Sequence, residues 1–161
     1  MKQLFCDVDS TLNNHWVRIQ KWAEPSFPGN SINGKAFTRE EIMLDLPLPN
    51  AVETLKEFSM DWDIHILSAR NFQDAHSITK DWLDMYGFPY NSITIVRKAA
   101  DKIDVLKNTK VDLFIDDLSK GQEYGPAYQV LYGDVIDELS KFNINFELFK
   151  NNWLEIKERH L

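Results

Sequence analysis

Acidic residues in this chain gather where short apolar runs end, and that placement is the first sign of chemistry. The run 2–8 closes in Asp7-Val8-Asp9-Ser10-Thr11. The run 63–67 leads into Ser68-Ala69-Arg70, the run 111–115 leads into Asp116-Asp117, and Lys102 stands shortly before that last run. Crowded carboxylates raise one another's pKa values, and a hard divalent cation removes the conflict. Mg²⁺ suits the task because it takes oxygen ligands, usually one or two carboxylates plus phosphate. Asp7, Asp9, Asp116 and Asp117 are therefore the candidate metal residues. An aspartate held against such an ion is ionised and can attack phosphorus, which makes Asp7 a candidate nucleophile. Asp9 lies two residues on, on the same side of an extended strand. There it can protonate a leaving oxygen and then activate water. Lys102 can neutralise charge on Asp7 and on a phosphoryl group. The Ser68 hydroxyl, with Thr11, Ala69 and Arg70, forms the candidate substrate-binding set, although Arg70 alone reads equally well as an ion-pair residue.

These residues need elements that bring them together. Apolar runs at 2–8, 63–67, 92–96 and 111–115 read as strands, with a weaker fifth at 127–131. Between them, helical spacing of apolar residues predicts helices over 50–59, 73–86, 101–107 and 146–158, with Gly87 as a stop signal. Strands alternating with helices imply an α/β fold, a Rossmann-like parallel sheet with helices on both faces. Ligands of such sheets bind at the carboxyl ends of the strands, where the acids fall. Residues 13–49 do not fit the alternation. They are rich in turn formers, hold two short helix patterns at 14–23 and 38–44, and read as a small cap inserted after strand one of a single domain.

DVDST, then a strand ending in LSAR, then a lysine, then FIDD resembles the four ordered motifs of the haloacid dehalogenase-like phosphatases, over roughly residues 4–131. The resemblance implies an Mg²⁺-dependent phosphomonoester hydrolase with Asp7 as nucleophile and Asp9 as acid/base. It makes Ser68 the phosphate-binding hydroxyl, Lys102 the stabilising lysine, and Asp116 with Asp117 the metal-binding acids. It also implies a metal contact from the backbone carbonyl of Asp9. Three further stretches, LSARNFQDAHSITKDWL, DLPLPNAVETL and NNWLEIKERHL, are similar to small cytosolic 5′(3′)-deoxyribonucleotidase-like proteins. They imply a small phosphorylated substrate, a nucleoside monophosphate as first choice. The insertion is short for a nucleotide-gripping cap, so a polynucleotide 3′-end phosphatase and other small-metabolite phosphatases stay open.

Other readings of the same residues compete. An EF-hand loop starting at Asp7 needs Gly and Glu where Leu12 and Arg18 stand. A phosphoryl-accepting receiver domain would place its acidic pair first and its lysine last. A silent binding protein on the same fold has no need of Asp7, Asp9, Ser68, Lys102 and Asp116 together. Lys98 competes with Lys102, and Lys102 is preferred because one short helix and one strand fit before Asp116. His15 and Trp16 read as packing residues, and Cys6 as a small buried strand residue. The net charge of −7 disfavours broad binding of nucleic-acid backbones. One cysteine, no long apolar run and no signal-peptide pattern point to a cytoplasmic protein without a membrane span.

Overall fold

Central strands buried on both faces organise the chain. The computed structural model describes residues 1–25, 30–120 and 130–161. Strand β1 (Lys2–Cys6) is followed by helix α1 (His15–Ile19), a 3₁₀ turn at Gln20–Trp22, the hairpin strands β2 (Ala23–Pro25) and β3 (Asn30–Ile32), a second 3₁₀ turn at Gly34–Phe37 and helix α2 (Arg39–Ile42). Then come α3 (Ala51–Phe58), β4 (Trp62–Ala69), α4 (Ala75–Tyr86), β5 (Ser92–Val96), α5 (Asp101–Lys107) and β6 (Leu113–Asp116). Helix α6 (Gly133–Lys141), strand β7 (Phe146–Leu148) and helix α7 (Trp153–His160) complete the described elements.

Five strands form one sheet in the order β5-β4-β1-β6-β7, and every pairing is parallel. Leu4 and Cys6 of β1 point to one face, where Leu55, Phe58, Trp82, Trp153 and Ile156 of α3, α4 and α7 cover them. Phe5 points to the other face and packs with Leu67, Phe114 and residues of α5 and α6. Central strands covered on both faces read as near-continuous apolar runs, which is why the sequence showed them clearly. None of the helices among the described residues is long and apolar enough to cross a membrane.

Three elements differ from the sequence expectation. The edge beside β6 is filled by β7, whose Phe146 lies opposite Phe114. The weaker strand expected at 127–131 lies mostly outside the described residues. The helix expected over 146–158 begins only at Trp153, and the first three of those residues are the strand β7. Asn152 sets the start, because its side chain accepts hydrogen bonds from the backbone N–H groups of Leu154 and Glu155. The helix expected over 14–23 gives way to a 3₁₀ turn after Ile19 and to extended chain at Ala23.

The chain must turn sharply after Val8 to carry the motif residues over the sheet edge. The N–H groups of Thr11 and Leu12 both donate to the carbonyl of Val8, and Ser10 takes a left-handed conformation with φ 63°. Its hydroxyl is buried with no hydrogen-bond partner among the described residues. A left-handed L-residue costs about 1–2 kcal/mol, and an unpaired buried hydroxyl adds to that. Glycine removes both costs, against an entropic penalty of about 0.5–1 kcal/mol from the freer unfolded chain. Ser10→Gly should therefore stabilise the protein by about 1 kcal/mol in chemical denaturation, and a destabilised variant would show that the hydroxyl holds a needed partner.

Candidate active site

The site begins where the ladder of β1 outlasts the strand. The Asp7 N–H still donates to the Ile115 carbonyl at 3.0 Å, so the Asp7 side chain is fixed at the end of the central strand. Lys102, from the first turn of α5, reaches it: Nζ lies 3.0 Å from Asp7 Oδ1 and 2.6 Å from Asp116 Oδ2. The Thr11 hydroxyl stands 3.1 Å from Asp7 Oδ2 and 3.0 Å from Asp117 Oδ1. Asp116 Oδ1 accepts from the Leu118 N–H at 2.8 Å. Carboxylate oxygens of Asp7, Asp116 and Asp117 all lie within 4.8 Å of one another.

One ammonium does not balance three carboxylates. Burial, and then the Asp116 charge, push Asp7 up to about 7 despite Lys102. Burial and the charge of Asp7 likewise push Asp117 well above the ordinary carboxylate range. Burial works against the charge of Lys102, yet Asp116 and Asp7 overcome it and hold the ammonium protonated far beyond its ordinary range. This donor set is short of positive charge and made of oxygens, which is what a hard divalent cation takes.

Asp9 lives in the opposite environment. Arg70 grips it twice, Nε to Oδ2 at 3.0 Å and Nη2 to Oδ1 at 2.7 Å. The third nitrogen of that guanidinium donates to the Thr79 hydroxyl of α4 at 2.8 Å. Asn13 Nδ2 donates to Asp9 Oδ1 at 3.1 Å, and His15 Nδ1 stands 3.4 Å from the same oxygen. Burial would raise the Asp9 pKa, but Arg70 and then His15 outweigh it, so the carboxyl is held well below its usual range. Behind it lies Asp45, fully buried, which pairs with Arg18 and His15 and whose carbonyl accepts from the Trp82 indole at 2.9 Å.

A cavity of about 410 Å³ opens over Asp7, Asp9, Lys102, Asp116 and Asp117. Its apolar walls include Trp16 and Phe37 from the insertion and Phe72 from the turn after β4. Phe37 and Phe72 stack with ring centres 5.7 Å apart. Arg97 and Lys98, both exposed, stand on the β5 side of the lining. Lys102, not Lys98, is thus the lysine that touches Asp7. Ala69 lines the cavity, and the Ser68 hydroxyl is buried with no hydrogen-bond partner among the described residues. Arg70, expected among the substrate-binding residues, is instead committed to Asp9 and Thr79. His15 is buried, as a packing role requires, yet one ring nitrogen faces two carboxylates. Sequence reasoning passed over Asn13, Phe37, Asp45 and Phe72, because an isolated Asn, Asp or Phe in a turn-rich stretch carries no spacing signal.

No family model matches the sequence, and no curated protein matches it. Solved structures do. SP0104, a haloacid dehalogenase-like family hydrolase from Streptococcus pneumoniae, aligns with all of this chain and 99% of its own, at TM-score 0.60 and 14% identity. The fold is haloacid dehalogenase-like. Two chains of Pnkp1/Rnl/Hen1 assemblies, one described as an RNA repair complex, also align with 92% of this chain, at TM-scores of 0.59 and 0.58 and identities of 17% and 16%. This chain spans 45% and 42% of their lengths. In this haloacid dehalogenase-like fold the acids stand at the carboxyl ends of β1 and β6, adjacent strands of the sheet.

The raised Asp7 pKa makes a testable link between pH and stability. The folded protein keeps a proton on Asp7 up to about pH 7, whereas the unfolded chain releases it near the ordinary value of 3.8. This contribution is complete below 3.8 and is lost as pH rises toward about 7. A cation bound to the acids competes with that proton. The rise in Tm on adding Mg²⁺ to chelator-treated protein should therefore be larger at pH 8 than at pH 5. Equal increments at the two pH values would count against the acids as the cation site.

Proposed function

We propose that this protein is an Mg²⁺-dependent phosphomonoester hydrolase that works through an aspartyl-phosphate on Asp7. The observation that carries the reading is the Asp7 carboxylate at the cavity floor, held by Lys102 on one oxygen and Thr11 on the other, beside two further acids. The carboxylates of Asp7 and Asp117, with Asp116 and the Asp9 carbonyl, would hold the ion. Asp116 is the more committed of the acidic pair, since Lys102 and the Leu118 N–H already occupy its oxygens. Bound Mg²⁺ would supply positive charge to the phosphoryl oxygens and keep Asp7 ionised.

Asp7 attacks phosphorus and the bond to the leaving oxygen breaks, while Lys102 offsets charge on the phosphoryl group. The unpartnered Ser68 hydroxyl is available to a phosphoryl oxygen. Asp9 gives the leaving oxygen its proton, then takes a proton from water as that water attacks phosphorus. The bond from phosphorus to Asp7 breaks, releasing phosphate and restoring the carboxylate. The Arg70 clamp keeps Asp9 ionised, the form that the second half requires, although it also makes the carboxylate a weaker base. In the first half a weakly basic Asp9 is hard to load with a proton, so leaving groups that need none react fastest.

The substrate reading is a nucleoside 5′-monophosphate. Aromatic walls from Trp16, Phe37 and Phe72 suit a planar base, and the insertion, acting as a cap, supplies two of the three. A second reading, a phosphate-terminated nucleic acid, draws support from Arg97 and Lys98, whose side chains have no ion-pair partner among the described residues. The alignment with chains of an RNA repair complex adds to it.

A panel of 5′-mononucleotides, 3′-phosphorylated oligonucleotides, sugar phosphates and an aryl phosphate, assayed with Mg²⁺, tests the reading. Nucleotides should outrank sugar phosphates, and Phe37→Ala should raise KM about 2- to 10-fold for nucleotides but not for glycerol phosphate. Preference for sugar phosphates would remove the nucleotide reading, and no turnover of any monoester would remove the phosphatase. Asp7→Asn should abolish the phospho-enzyme. Asp9→Asn should lose about 10² to 10⁴ in rate on alkyl esters. It should keep measurable transfer from the aryl phosphate, with phosphate accumulating on the Asp7 peptide in rapid-quench mass spectrometry. Continued turnover with that peptide never phosphorylated would mean that water attacks phosphorus directly.

A further inference from the structure

Asp45 has no exposed surface and no place in the chemistry described so far. A buried carboxylate is costly unless it is paired and hydrogen-bonded on all sides. Here it is paired. The Arg18 guanidinium donates to Oδ1, while Asn13 Nδ2 and His15 Nδ1 lie 3.4 Å and 3.3 Å from Oδ2. Arg18 reaches on to Glu41 of α2 at 3.4 Å, and Glu41 also accepts from the Trp22 indole at 3.0 Å. The carbonyl of Asp45 accepts from Trp82 of α4, so its backbone is fixed to the main domain as well.

Asn13 and His15 touch both carboxylates. Asn13 Nδ2 lies 3.1 Å from Asp9 Oδ1, and His15 Nδ1 lies 3.4 Å from it. The two acids thus share the same two neighbours, with Arg70 closing the far side of Asp9 and Arg18 the far side of Asp45. Ligand atoms of Asp9, His15 and Asp45 lie within 4.8 Å of one another, a spacing that could hold a cation. Arg18 and Arg70 already meet both carboxylates, so this group does not share the charge deficit around Asp7.

We propose that Asp45, acting through His15 and Asn13, is a positioning residue for Asp9. It fixes the face that the acid/base carboxylate presents to the leaving group. The geometry ties the insertion to catalysis, because Arg18 joins Asp45 to Glu41, and Glu41 in turn accepts from Trp22, all within that segment. The inference rests on the phosphatase reading with Asp9 as acid/base. Placement matters at this position, since a misalignment of about 1 Å can cost about 10² in rate.

The test is a double-mutant cycle on the full chain with Mg²⁺, using glycerol phosphate and an aryl phosphate. Asp45→Asn should lower kcat about tenfold on glycerol phosphate and far less on the aryl phosphate, with KM little changed on both. In the Asp9→Asn background the same substitution should cost under about twofold on glycerol phosphate, against the tenfold it costs alone, because the residue it positions is already gone. Equal losses on both substrates, or full additivity with Asp9→Asn, would reduce Asp45 to a structural anchor and overturn the inference. If Asp45→Asn does not fold, His15→Gln takes its place. It breaks the same link from the other end, and the same leaving-group pattern is required of it. Wild-type turnover of the aryl phosphate separates the two levels. Its absence removes the phosphatase reading and the inference with it, whereas its presence with uniform losses in the variants removes the inference alone.

Discussion

Buried carboxylates set the terms for the rest of this structure. Asp7, Asp9, Asp45 and Asp116 are all buried at one end of a parallel sheet, with Asp117 half-buried beside them. Low-dielectric surroundings make each uncompensated charge expensive, so the fold must bring cations or donors to every one of them. Lys102 from α5, Arg70 from the end of β4 and Arg18 from α1 arrive from three different elements to do so. The strand order makes this possible. With β1 central, β4 and β6 flank it on either side, and the residues just past all three strands face the same volume.

The compensation is uneven, and the unevenness divides the site into two halves. Around Asp7 three acids share one lysine, and burial with mutual repulsion lifts Asp7 and Asp117 above the ordinary carboxylate range. Around Asp9 the guanidinium of Arg70 more than offsets burial and holds the carboxyl below it. Two aspartates two residues apart on one strand end therefore have opposite electrostatics. Environments that push paired titratable groups apart are how one site assigns different roles to identical side chains. The first half has room for added positive charge, while the second is already complete.

The insertion contributes to both halves. Trp16 and Phe37 form part of the cavity wall, while Arg18 and Asp45 pack behind Asp9. Its helices are short, and side-chain contacts tie it to the main domain. Arg39 pairs with Asp81 of α4, and the Trp82 indole holds the Asp45 carbonyl. A segment anchored in this way presents aromatic side chains over the acids without a large core of its own.

Much of this was legible in the chain. Apolar runs ending in polar residues, acids after β1 and β6 and Ser68-Ala69-Arg70 after β4, marked these strands, because a strand buried on both faces must be apolar along its length and polar where it leaves the sheet. Helical spacing marked α3, α4 and α5 within two residues of their ends. The strand β7 was not legible: three residues offer too short a pattern to distinguish from a helix start, and only pairing with Phe114 and Asp116 made them a strand. The partners of the acids were hidden for a related reason. Arg70 lies 61 residues from Asp9, and His15 lies 30 from Asp45, so no local spacing connects them. Residue types and their order determined which groups sit at the sheet edge. Which carboxylate receives the lysine, which the arginine, and which is left short of charge was decided only when distant elements were packed together, because electrostatic pairing depends on distance in space.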